Sequence, residues 1–224
     1  MPHPARPREV IPMTDAPIDA AARLEAALAS LDPSSRVQAA MTAGTHPRSE
    51  YIPVLVAQCR IEPQFLVREM LTWALTRHDA DEVLDLLIGE LRSRGAQVRA
   101  QALHTMSKIG GSRVWPTVTT ELLTDADDTV ARTAWRTAAR HVPAVEASAL
   151  ADVLATQFAR GEDDTRRSLS EAFATIGEPA RPQVDWALAT GGPYTRAHAA
   201  VTAHLMDDPE LTFPEAVAAV AESA

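Results

Sequence analysis

Apolar positions recur along this chain in steps of about one helical hairpin, and residues 98–110 show the pattern in its fullest form. Val98, Arg99, Ala102, Met106 and Ile109 share one face of a helix there, and a glycine follows. The preceding copy reads Val67, Arg68, Leu71, Leu75 and His78. The following one reads Val130, Ala131, Ala134 and Ala138, with its arginine displaced by one place to Arg132. Thr165, Arg166, Leu169, Phe173 and Ile176 continue the series and again end on Ile-Gly. Weaker copies open at Ser35-Arg36 with Ala39 and at Thr195-Arg196 with Ala199. The lead positions 35, 67, 98, 130, 165 and 195 are separated by 32, 31, 32, 35 and 30 residues. That period fits a helix–turn–helix unit whose second helix carries the signature and whose copies stack into a solenoid.

The same periodicity predicts the individual helices. Residues 19–30 and about 34–43 form a first pair, with Ser34 or Ser35 as cap and Gly44 as stop. Residues 50–60 and 62–77 form the second, each with a proline (Pro53, Pro63) in its first turn. Residues 80–92 pair with 97–109, 114–123 with 127–140, 145–160 with 163–176, and 179–189 with 194–205. A last short helix over 214–221, capped by Thr212, shields the open end of the stack. The expected architecture is all-α: a right-handed α-solenoid of about six hairpins plus a C-terminal capping helix. Its expected divisions are a proline-rich disordered tail at 1–17, the solenoid at 18–208 and the capping helix at 209–224. Prolines at 2, 4, 7, 12 and 17 oppose helix in the tail, and Met13 offers a second candidate start of translation.

The signature D-x-x-V-R-x-x-A-x-x-x-L/M-x-x-I-G and its near misses stand best at 97–110, 127–139 and 163–177. On these residues the chain resembles the bacterial HEAT-like repeat proteins, including the short repeats named after phycobilisome lyases. The resemblance covers most of residues 19–208. It implies the solenoid fold and is nearly silent about activity, because repeat scaffolds host many unrelated functions.

Composition narrows the picture. Apolar residues make up 46% of the 224 but aromatics only 4%, so Ala, Leu and Val must fill the core. A formal net charge of -9 argues against general nucleic-acid binding, although a local basic groove remains compatible with it. The lone Cys59 cannot support a disulfide framework and favours a reducing compartment. No apolar run reaches 18 residues and no charged start precedes an apolar core, so a cytoplasmic location without membrane insertion is expected.

Second helices of such repeats line the concave side, and positions just off the buried face project into the groove. Six residues beyond each lead stand Met41, Trp73, His104, Arg136, Glu171 and Val201; two beyond stand Val37, Glu69, Ala100, Arg132, Arg167 and Ala197. The expected binding groove comprises Glu69, Thr72, Trp73, Thr76, His104, Arg132, Trp135, Arg136, Arg167 and Glu171. Trp and Arg are favoured anchors for a peptide, with polar groups giving orientation. Trp135 aligns with Leu103 and is equally a core candidate. The repeated arginines Arg36, Arg68, Arg99, Arg166 and Arg196 fit a structural ladder, each pairing with an aspartate or helix carboxyl end of an adjacent repeat. Asp127, Asp128, Asp163 and Asp164 are the candidate carboxylates.

The expected function is a non-catalytic scaffold for a protein or peptide, acting as a monomer or weak homo-oligomer. The rival is a DNA-alkylation-repeat-type glycosylase or another nucleic-acid-binding HEAT-like protein, with Trp73, Trp135 and Glu69 around an extruded nucleotide and Arg132 and Arg136 on phosphates. No residue-by-residue match to such a catalytic arrangement is present. Neither a metal nor a cofactor is expected: His198 and His204 are six apart, and no His-Glu-x-x-His, Cys-x-x-Cys or glycine-rich phosphate loop occurs.

Overall fold

The computed structural model describes residues 19–208 and 210–222; the expected tail at 1–17 and the choice between Met1 and Met13 lie outside them. Every regular element among the described residues is helical. The α-helices are α1 (Ala20–Leu28), α2 (Pro33–Thr45), α3 (Ile52–Ile61), α4 (Phe65–Leu75), α5 (Ala80–Glu90), α6 (Ala96–Ile109) and α7 (Thr120–Leu123). They continue as α8 (Asp128–His141), α9 (Ala147–Ala155), α10 (Asp163–Ile176), α11 (Arg181–Thr190), α12 (Pro193–Asp207) and α13 (Phe213–Glu222). Consecutive helices pair as HEAT-like hairpins and the hairpins stack into a solenoid, with α13 capping α12. No helix among the described residues is long and apolar enough to cross a membrane.

Local chemistry sets the helix ends. Asp32 caps α2 by accepting the Ser34 and Ser35 N–H groups at 3.1 and 3.0 Å, so the carboxylate takes the role expected of the serines. Gly44 does not stop α2, which runs on to Thr45. Its bare Cα instead admits the Trp73 ring: a Cβ there would lie 2.5 Å from Trp73 Cζ3 and 2.9 Å from Ala74 Cα. Gly110 and Gly177 do end α6 and α10, at φ 74° and 73°, left-handed values that glycine adopts without a Cβ clash. The expected helix over 114–123 breaks into a 3-10 turn at Trp115–Thr117 and the four-residue α7, because the backbone leaves helical geometry at Val118 (ψ 88°) and Thr119 (ψ 162°). Helix α4 begins at Phe65, leaving Pro63 in the turn before it. Thr212 receives the Glu215 carboxylate on its N–H at 2.8 Å, half of a capping box at the start of α13.

One core runs from Leu24 on α1 to Ala199 on α12, and alanine and leucine supply most of it. The second helices approach one another closely. Helix α2 packs along α4, α6 along α8, and α10 against both α8 and α12, while the first helices touch their neighbours far less. In a curved double layer the tighter layer is the inner one, which puts α2, α4, α6, α8, α10 and α12 on the concave side. Small hydroxyl residues make this approach possible. Thr137 Oγ1 donates to Thr133 O and to Leu103 O across the α6–α8 seam, and Ser170 Oγ lies 2.8 Å from Thr202 Oγ1 across α10–α12. Val201 and Leu205 of α12 are covered by Ala216 of α13, which ends the exposed row of groove positions one repeat early.

The arginine ladder exists in modified form. Arg36 donates to Ser30 O and Leu31 O, Arg68 to Glu62 O and Pro63 O, Arg99 to Ser93 O and Arg94 O, and Arg196 to Gly191 O. The shared role is therefore to hold the hairpin turn of the same repeat, where carbonyls are left over beyond the first helix. Two of them also reach the next repeat: Arg36 forks onto Glu62 at 2.8 and 2.7 Å, and Arg99 onto Asp125 at 2.9 and 2.9 Å. Arg60–Glu90 and Arg160–Asp128 add further ties between repeats. The expected carboxylates serve differently. Asp127 caps α8, and Asp163 and Asp164 pair within α10 with Arg166 and Arg167.

Candidate functional site

The second-helix layer exposes a strip one residue wide per repeat. Met41 and Trp73 are each 39% exposed despite their size. Trp73 is held by its neighbour: Cε3 and Cζ3 of the indole lie against Gly44 of α2, where a Cβ would collide with them. The strip continues through His104 on α6, Arg136 on α8 and Glu171 on α10. These three line a single cavity of about 320 Å³ together with Ser107, Lys108, Thr133, Thr137, Arg140, Ala172 and Thr175.

Glu69 and His104 bridge the step from α4 to α6. These two helices pack less intimately than α2–α4 or α6–α8. Their seam is filled by Gln101, whose Nε2 donates to Thr72 Oγ1 at 2.9 Å, and by Thr72 and Thr105, whose hydroxyls are 3.1 Å apart. Further out, His104 Nε2 lies 2.9 Å from Glu69 Oε1. The approach is not aligned as a hydrogen bond, and Nε2 has no other hydrogen-bond partner. Burial pushes the His104 pKa below the usual histidine value; Glu69 opposes this, and Lys108 and Arg136 add to it. His104 is consequently neutral at pH 7.

Cations dominate the centre of the groove. Arg132, Arg136 and Arg140 stand at successive four-residue steps on α8, with Lys108 across from them on α6. Among the described residues none of these four has an ion-pair partner. Arg132 Nε donates to Ser168 Oγ at 3.2 Å, and Arg136 makes only a 3.5 Å contact with Thr133 Oγ1. Partial desolvation and the neighbouring Arg132 push the Arg136 pKa down, with Glu171 acting the other way.

The structure thus brings together Glu69, His104, Arg136 and Glu171, with Trp73 beside them. Four expected groove residues stand elsewhere. Trp135 is fully buried, and its Nε1 donates to Leu123 O at 2.7 Å, so it belongs to the core and cannot wall a ligand. Thr72 is buried in the α4–α6 seam. Thr76 closes the end of α4 by donating to Trp73 O at 2.7 Å. Arg167 is occupied by Asp164 on its own helix. Lys108, Arg140 and Thr175 were not among the expected residues. Each lies four places beyond a strip residue, so the helical period alone would have placed them in the groove.

Other candidate chemistry resolves as structure. Burial pushes the Cys59 thiol up to about 12, which leaves it an inert apolar side chain. His198 Nδ1 accepts the Ala159 N–H at 3.0 Å, so Nε2 carries the proton and faces Arg166 O at 3.0 Å. Burial holds its pKa down to about 4. No group of three or more His, Cys, Asp or Glu among the described residues is placed to hold a metal ion.

No family model matches the chain, and no curated protein matches it significantly. Among solved structures, human deoxyhypusine hydroxylase in complex with glycerol is similar with a TM-score of 0.44 and 18% identity, over 90% of this chain and 94% of that one. At that distance the likeness carries no argument about ligand or activity.

Proposed function

We propose that the protein is a non-catalytic scaffold that binds a protein or peptide segment along its concave surface. The observation that carries this reading is the strip Met41, Trp73, His104, Arg136 and Glu171, one residue from each of five successive second helices, exposed at every position but the half-buried His104. An elongated strip with an aromatic platform at one end and charge at the other suits an extended chain, since anchors and orienting groups are spaced along its length. The cavity at its centre, about 320 Å³, is lined mostly by polar and charged side chains, whereas small-molecule sites are predominantly apolar. A reducing, cytoplasmic setting agrees with the single buried thiol. The nucleotide-flipping alternative loses one of its two aromatic walls, because Trp135 is in the core.

Capture from the native cell lysate tests the reading, using wild type, a Trp73→Ala/Arg136→Ala double variant and a Trp186→Ala control. Trp186 is 70% exposed on α11, in the other helix layer. Partners should be retained by wild type and the control and lost by the folded double variant. Partners retained by the double variant but lost by Trp186→Ala would move the site to the convex face.

A further inference from the structure

The groove's charge pattern names the chemistry of its partner. Six arginines elsewhere, Arg36, Arg60, Arg99, Arg113, Arg160 and Arg181, sit on carboxylates across repeats or between helices, while Arg68 and Arg196 are held by turn carbonyls. In a protein of net charge -9, carboxylates are in surplus. Yet Lys108, Arg136 and Arg140, which line one cavity, and Arg132, one turn before Arg136, have none as an ion-pair partner among the described residues. Like charges crowded on α8 at four-residue spacing cost stability on their own. An anion arriving from outside would relieve that repulsion.

We propose, resting on the concave-surface reading above, that the occupant is an extended acidic peptide segment. Its carboxylates meet Lys108, Arg136 and Arg140, and an apolar side chain upstream or downstream of them covers Trp73. Guanidinium groups accept carboxylates in forked pairs, and the partly dry cavity strengthens such pairs relative to the open surface. Helices pack about 8–10 Å apart, so Trp73 on α4 and Arg136 on α8 are separated by roughly 16–20 Å. An extended chain advances about 3.3 Å per residue, which sets the apolar residue and the acidic run about five or six positions apart. A polynucleotide fits less well. The cations cover only the central repeats, and Glu69 and Glu171 stand on either side of them, facing where the phosphate track would continue.

The test is fluorescence anisotropy with four labelled probes at low and moderate salt. The first is a Ser/Gly decapeptide carrying one leucine five residues from an Asp-Glu-Asp run. The second replaces that run with three lysines, the third with three serines, and the fourth is a dodecameric oligothymidylate. The proposal expects the acidic probe to bind at least about tenfold more tightly than the serine and lysine probes, with an advantage that shrinks as salt rises. Arg136→Glu/Arg140→Glu should reverse the order, so that the lysine probe binds better than the acidic one. The reversal is read only on a variant whose thermal melt matches wild type, since an unfolded, more acidic chain would attract the lysine probe as well. Equal binding of acidic and serine probes, both lost in Trp73→Ala, would overturn the acidic partner and leave the concave-surface reading intact. Tighter binding of oligothymidylate than of any peptide would overturn both, as would the absence of peptide binding together with an unaltered lysate capture by the groove variants.

Discussion

The arginines of the hairpin turns and the arginines of α8 are the same residue type in the same stack of helices, and they do opposite things. Arg36 is buried, forks onto a Glu62 carboxylate that is itself buried, and fastens its own turn through two carbonyls. Burial pushes the Glu62 carboxyl up, but hydrogen bonds from Arg36, Gln58 and the Gln64 N–H outweigh it and hold the pKa below the ordinary value. Arg136 is exposed, has no carboxylate partner and sits among other cations. A charge whose partner is supplied within the fold maintains the fold; one left without a partner is available to a ligand. The histidines repeat the lesson. His198 has both ring nitrogens satisfied inside the α10–α12 seam, while His104 faces the groove with Nε2 poorly matched to Glu69.

The largest effect should come from the paired side. Arg36→Met leaves the Glu62 carboxylate buried without its counter-ion, which costs about 3–5 kcal/mol. Denaturant melts should show it, and Arg36→Met/Glu62→Leu should recover most of the loss. If the double variant were no better than the single, the pair would not be the source.

His198 gives the next effect through pH. Its pKa is about 4 in the fold against 6.5 for a free histidine. Between those values the unfolded chain binds a proton that the native state does not. Stability contributed by the neutral ring is therefore complete above pH 6.5 and falls as the pH drops toward 4, by about 1.4 kcal/mol per unit. Melts at pH 7.0, 6.0 and 5.0 check this, since most carboxylates remain ionised across that range. A flat profile would contradict the buried, neutral assignment.

Gly44→Ala probes the seat of Trp73. The added methyl meets both the indole and the α4 backbone, so overpacking should cost about 1–3 kcal/mol. Trp73 emission should shift as the ring is pushed outward. The smallest effect belongs to the unpaired side: Arg136→Ala should alter stability by less than about 0.5 kcal/mol, because no partner within the fold loses a bond. A marked drop in melting temperature would place Arg136 with the structural arginines.

The stack was legible in the sequence because a hairpin period places equivalent residues at equivalent angles. That arithmetic put His104, Arg136 and Glu171 at matched positions of successive second helices, and the three line one cavity in the fold. It was ambiguous for Trp135, where one position of helix rotation separates core from groove, and volume and hydrophobicity decided for the core. The turn-holding role of the arginines was hidden for a different reason. Their acceptors are backbone carbonyls, which every residue has and no residue type announces. Gly44 looked like a helix stop because glycine usually is one; its true partner, Trp73, is 29 residues away and meets it only through tertiary packing. The break in the helix over 114–123 falls at Val118 and Thr119, and the apolar period carries no sign of it.

The four tryptophans allow a single decisive reading of where a ligand binds. Their indole N–H groups can be followed as four separate signals in a nitrogen-15 correlation spectrum while the acidic leucine-containing decapeptide is added. Trp73 lies in the groove, Trp115 and Trp135 lie away from it, and Trp186 stands on the other layer. The account predicts that the Trp73 signal moves saturably while those of Trp135 and Trp186 stay in place. Movement of Trp186 with Trp73 unchanged would contradict it.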